Sequence, residues 1–165
     1  MTVAPGRTHK YFTGKPRVPF GYGLSYSRWA VGLKPGSAHT VSIATSDSGS
    51  TANVTLSITN NGPRVGDAVV LAFLVPKSLP TQPGSKMLQK LWQFSRAPDV
   101  AVGATVELSF AVGPEAVAIN DLATGDIISA PGSYTLSFRD GSGASVDVGL
   151  EVTGKQHVIE SFPTP

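Results

Sequence analysis

Asp121 and Asp126 flank the short turn Ala123-Thr124-Gly125, and a pair of carboxyl groups about 5 to 9 Å apart is what glycoside hydrolysis requires, one as acid and the other as nucleophile or base. On a loop tip, however, two such acids act as solvated turn formers. Of the remaining acids, Asp47, Asp67, Asp99, Glu107, Glu115, Asp140, Asp147, Glu151 and Glu160, most also fall in turns or on outward strand positions. His9, His39 and His157 are far apart and lack the spacing of metal ligands. The chain has no cysteine, so disulfides, thiolate zinc sites and cysteine nucleophiles are excluded together. No G-x-S-x-G elbow supplies an activated serine, and Gly21-Tyr22-Gly23 runs into Leu24-Ser25-Tyr26 with no helix to receive a phosphate. The residue types therefore predict no catalytic, cofactor-binding or metal-binding residue and no cofactor.

The elements available to position any side chain are short strands. Residues 52–59 place Val54, Leu56 and Ile58 on one face and Asn53, Thr55 and Ser57 on the other, the period of a half-buried strand. Asn60-Asn61-Gly62-Pro63 ends it. Residues 68–75, AVVLAFLV, form an unbroken apolar run stopped by Pro76, which predicts a mid-sheet strand covered on both sides. Val106, Leu108, Phe110 and Val112 alternate inward in 105–112, as do Tyr134, Leu136 and Phe138 in 133–138 and Val146, Val148, Leu150 and Val152 in 145–152. Weaker strand patterns occupy 39–44, 87–94, 116–120 and 126–129. Trp92 and Phe94 are expected in the core. Seven or eight strands punctuated every 8 to 12 residues or so predict an all-β antiparallel sandwich of immunoglobulin type, with the Tyr134 hydroxyl bonding back to nearby backbone as a tyrosine corner.

With Gly 18, Pro 13 and 15% charged residues among 165, the composition is that of one turn-rich β domain. Lys+Arg 13 against Asp+Glu 11 implies no nucleic-acid partner, the N-terminal MTVAPGRTHK has no apolar core of the kind a signal peptide needs, and no apolar run approaches the length of a membrane span. Every charged residue before Asp47 is nevertheless basic: Arg7, Lys10, Lys15, Arg17, Arg28 and Lys34. The same region holds about half of the aromatic residues, Tyr11, Phe12, Phe20, Tyr22, Tyr26 and Trp29, strung between glycines and prolines without strand or helix period. Asn53-Val54-Thr55 is an N-glycosylation sequon with its asparagine on an outward position.

The run GRTHKYFTGKPRVPFGYGLSYS from Gly6 resembles the segment leading out of the second catalytic-region domain of family 3 glycoside hydrolases, the β-glucosidases and β-xylosidases. Its core PFGYGLSY, Pro19 to Tyr26, is similar position by position to the family's P-F-G-x-G-L-S-Y signature. Further on, Thr59-Asn60-Asn61-Gly62 with Gly66-Asp67, the run from Lys86 to Leu91 with Phe94, Val102-Gly103-Ala104 to Phe110, and Gly132-Ser133-Tyr134 resemble successive family segments. Leu91-Trp92-Gln93 stands where the family has Gly-Phe, and the turn before Thr105 lacks the family's proline and glutamate. The hairpin at 121–128 is closer to the plant-like β-xylosidase branch.

The resemblance implies a fibronectin type III-like domain at 37–154, preceded by a connector at 1–36 from a glycosidase domain and followed by a tail at 155–165. In the family the nucleophilic aspartate and the acid/base residue come from other domains, so no catalytic residue carries over. The implied role is a non-catalytic accessory module packing against the catalytic domains through Tyr11, Phe12, Phe20, Tyr22, Tyr26 and Trp29, with a homodimer and polysaccharide at the cleft rim as further partners. Members of the family are often secreted or associated with the cell wall. The alternative is an independent carbohydrate-binding or adhesion module in which Tyr22, Tyr26 and Trp29 stack on sugars. Residues 1–15 are expected to pack loosely and 20–29 to dock on the sandwich.

Overall fold

Alternation of β-branched and aromatic residues with small polar ones forces each strand to bury one face, and two sheets meeting through those faces make the core. The computed structural model describes residues 5–45, 51–81, 84 and 87–163. Among them a single helical turn, α1 (Thr8–Tyr11), precedes β1 (Trp29–Leu33), β2 (Thr40–Ala44), β3 (Ala52–Asn60), β4 (Gly66–Ser78), β5 (Lys90–Val100), β6 (Thr105–Val112), β7 (Ala118–Asn120), β8 (Ile127–Ser129), β9 (Gly132–Arg139), β10 (Ser145–Thr153) and β11 (His157–Glu160). One sheet has the order β1-β3-β6 and the facing one β2-β10-β9-β4-β5. Leu56, Ile58, Phe110, Leu136, Phe138 and Leu150 lie fully buried between them. A small sheet, β11-β8-β7, covers Ile119, Ile128 and Ala130 at the flank.

The all-β sandwich follows the predicted pattern, and Asn53 is exposed beside the buried Val54. Tyr134 is buried, and its hydroxyl donates to the Ala130 carbonyl at 2.8 Å. Burial also pushes the phenol above the ordinary tyrosine range. Tyr134→Phe leaves that carbonyl without its donor, so we expect a loss of about 1 to 2 kcal/mol, read as a lower urea midpoint at unchanged slope.

The structure departs from the expected organisation at four places. β1 pairs with β3 from Trp29↔Asn60 to Leu33↔Leu56, so the sandwich takes its first strand from within 1–36. The tail beyond 155 contributes β11, which pairs with β8. β2 runs parallel to β10, with Val41 opposite Leu150, an exception to the antiparallel rule. β4 continues through Pro76 to Ser78, with its register against β9 shifting between Pro76 and Ser78, where proline has no N–H to give to the ladder.

Phe94 corrects the expected core. Ala72 pairs with Gln93 but Phe73 pairs with Leu91, which makes Trp92 the extra residue of a β-bulge. A bulge changes face parity along its strand: Trp92 packs on Phe110 in the core, whereas Phe94 pairs with Leu71 and remains 66% exposed.

Candidate functional site

The unbroken apolar run in β4 has a physical cause on each of its faces. Val70, Ala72 and Leu74 enter the core, while Phe73 is equally buried beneath the N-terminal connector. The His9 ring stacks on Phe20 at 4.0 Å between centroids, and both rings meet Phe73 in T-shaped geometry, at 6.4 and 6.1 Å. The Arg139 guanidinium lies over Phe73, 4.7 Å from its centroid, in cation–π geometry. Its Nη1 also donates to Gln89 Oε1 at 2.9 Å.

The backbone of the signature then passes close to the sandwich. Tyr22 N–H closes a turn on the Pro19 carbonyl at 3.1 Å, and Gly23 N–H donates to the Gly141 carbonyl at 3.3 Å. Gly21 has φ +83°, and a β-carbon there would stand 2.4 Å from Leu71 Cδ1. Gly141 has φ +80°, and a β-carbon there would stand 2.3 Å from the Gly21 carbonyl oxygen. Only glycine combines that backbone conformation with that approach.

The rings beyond this contact point away from the core. Phe20 and Tyr22 are about half exposed, and Leu24 and Tyr26 are each 90% exposed. Val18 and Tyr11 are also exposed, and Phe12 is half-buried. Arg7, Lys15, Arg17 and Arg28 of the same N-terminal segment are exposed as well. Trp29 does not join it: at 9% exposure it belongs to the core as the first residue of β1. The loose packing expected for 1–15 does not extend to α1, where His9 is stacked and the Lys10 carbonyl accepts from Leu88 N–H at 2.7 Å. Residues 1–4 lie outside the described residues, as do Asp47 and Lys86.

His9 gives the docked connector a pH dependence. Its Nε2 is buried without a partner, and burial, followed by the charge of Lys10, lowers its pKa from 6.5. The neutral ring is therefore the docked form. Because the undocked histidine takes up its proton at the higher pH, docking is fully stable above about pH 6.5 and weakens as pH falls through the lowered value. We expect hydrogen exchange of the amides in 8–23 to accelerate between about pH 7 and pH 5 beyond its intrinsic change. The variant His9→Phe should lose that dependence, and an equal pH response in the variant would assign it to another group.

Asp121 Oδ1 accepts from Ala123 N–H at 2.7 Å and Thr124 N–H at 3.2 Å, while Asp126 Oδ1 accepts from Phe162 N–H and its Oδ2 from the Thr124 hydroxyl, each at 2.7 Å. These carboxylates hold a turn and tie the chain end to it. Among the described residues no three His, Cys, Asp or Glu side chains gather as a metal site, and no helix is long and apolar enough to cross a membrane. Sequence reasoning missed Leu71, Phe73, Arg139 and Gly141 as the seat of the connector. The one visible signal was the apolar run itself, since a strand with one wet face would alternate.

Fold and surface together define a β-sandwich with an exposed aromatic strip on an N-terminal segment docked against one sheet. Along 98% of its length the chain is similar to exo-1,4-β-xylosidases. It is 29% identical over 173 residues to a probable exo-1,4-β-xylosidase of Aspergillus fumigatus and 30% identical over 170 residues to an exo-1,4-β-xylosidase of Emericella nidulans. It spans 22% and 21% of those proteins' lengths, about a fifth. The solved structure of a family 3 glycoside hydrolase, an exo-β-xylosidase bound to a xylobiose aziridine probe, superposes with a TM-score of 0.76 at 27% identity, over 97% of this chain and 22% of that one. β-Glucosidase 3B of Thermotoga neapolitana shares the fold, with a TM-score of 0.70 at 21% identity over 92% of this chain and 19% of that one. No family model matches the chain.

Proposed function

We propose that the chain is the carboxy-terminal, fibronectin type III-like accessory module of a family 3 β-glycosidase, of β-xylosidase or β-glucosidase type. In this reading hydrolysis of O-glycosyl bonds is performed by catalytic domains that supply the carboxylates, and this module packs against them. The observation that carries the proposal is the strip Phe20, Tyr22, Leu24 and Tyr26, apolar and exposed on a connector that is itself firmly seated. Large apolar side chains grouped on an exposed surface mark an interface. The similarity to about a fifth of longer xylosidases supports the rest of such an enzyme as the partner.

Two measurements test this. The purified chain should not hydrolyse aryl β-xylosides or β-glucosides, and turnover that persists through purification would overturn the non-catalytic role. A xylosidase of this type lacking its last fifth should bind the added chain, and the triple variant Tyr22→Ser, Leu24→Ser, Tyr26→Ser should weaken that binding at least tenfold. Equal binding by the variant would place the interface elsewhere.

The independent sugar-binding alternative relied on Trp29 as one of its stacking rings, and burial of Trp29 favours packing. A second copy of the chain remains a further partner for the same strip, distinguished by concentration-dependent sedimentation. Asn53, exposed on β3, is proposed as a glycan acceptor in a eukaryotic host, testable by the mass change on endoglycosidase treatment.

A further inference from the structure

A groove of about 670 Å³ lies between the edge of the sandwich and β11. Its walls include Lys90, Trp92 and Gln93 of β5, Glu115 after β6, and His157 and Ile159 of β11. None of these belongs to the aromatic strip. Trp92 is the bulged residue, with its ring edge-on to Phe110 at 6.3 Å, yet its indole N–H is buried without an acceptor. A buried donor in that state ordinarily costs about 1 to 3 kcal/mol. The side chains of Gln93, Glu115 and His157 make no hydrogen bond or ion pair among the described residues, whereas the Lys90 ammonium donates to the Ala118 carbonyl at 2.8 Å.

The wall thus combines an indole and an isoleucine with an amide, a carboxylate and an imidazole that have hydrogen-bonding capacity to spare. One cation and one anion nearly cancel, and the cation is already engaged, so phosphorylated or sulfated ligands are disfavoured. The size is that of a small-ligand site, and a few polar groups around an apolar wall are the usual composition of one. A pyranose ring meets both demands: its C–H face is apolar and its rim carries hydroxyls that donate and accept. The geometry points to this groove as a binding site for a short, neutral oligosaccharide. The groove stands independently of the packing proposal; only the choice of a xylose chain as first probe rests on it.

The test is titration of the full chain with xylotetraose and, separately, cellotetraose, followed by calorimetry and tryptophan fluorescence. Trp29 is buried in the core, so a spectral change reports Trp92. We expect saturable binding with Kd on the order of 0.1 to 1 mM. Glu115→Ala and His157→Ala, at exposed positions, should each weaken it about fivefold or more, and Trp92→Phe, which keeps an aromatic ring against Phe110, should weaken it in calorimetry. Absence of saturation with either sugar up to about 20 mM, far above that range, overturns the proposal, as does binding that all three variants leave unchanged. Binding of cellotetraose alone supports the groove while telling against a xylosidase-type parent, and failure of both sugars leaves the packing experiment unaffected.

Discussion

Asn60→Leu is expected to lower the stability of the chain by about 3 to 5 kcal/mol. Asn60 ends β3 and is fully buried. Its Nδ2 donates to the Arg64 carbonyl at 2.8 Å and to the Val100 carbonyl at 2.9 Å, while its Oδ1 accepts from Gly62 N–H at 2.9 Å. One amide therefore closes the turn after β3 and joins it to the end of β5. Leucine fits the volume but takes the side-chain partner from the Val100 carbonyl and the Gly62 N–H, each costing about 1 to 3 kcal/mol when buried, and leaves the Arg64 carbonyl with the Ser27 hydroxyl alone, partly offset by apolar burial. Asn60→Asp should be no better, because a carboxylate oxygen would face two carbonyls where the Nδ2 donor had been. The measurement is the denaturant midpoint at unchanged slope. A loss below about 1 kcal/mol would show that the turn is held by its backbone bonds alone, Asn60 N–H to Ala104 and Gly103 N–H to Asn60.

The second large effect is expected from Phe73→Ala, and it separates connector docking from core stability. Phe73 is fully buried yet lies under His9, Phe20 and Arg139 rather than between the sheets. Its truncation should cost about 3 to 5 kcal/mol if the site cannot collapse. The connector should bear most of that loss. Amides in 8–23 should lose exchange protection, while those of β3, β6 and β9 keep theirs up to the transition. Binding to the truncated xylosidase should fall as well, because the strip would no longer be presented in one geometry. Uniform loss of protection throughout the chain would instead make Phe73 an ordinary core residue, and unchanged protection in 8–23 would mean that the connector is held by its backbone contacts to Gly141 and Leu88.

Much of the fold was legible because its strands bury one face. Leu56, Leu108 and Leu150 could be placed inside by period alone, and the corner at Tyr134 by its position after Pro131-Gly132. The parity of β5 could not be read, since a bulge is an agreement between two strands and leaves no mark in one of them. The strip from Phe20 to Tyr26 was visible as residue types, but Trp29, of the same type and in the same run, went to the core. Composition cannot separate these cases, because burial depends on which neighbour arrives.

The amino-acid sequence by itself determined the all-β pattern, the absence of thiol chemistry and the glycines that let the connector turn, since each rests on the covalent identity of single residues or on a period of two. Only the tertiary structure decided that Phe73 and Gly141 seat the connector, that Asn60 closes a turn at the end of β3, and that β5, the β6–β7 loop and β11 together wall a groove. These are juxtapositions of segments distant in the chain, and they come into being only when the two sheets pack and fix which side chains share a space.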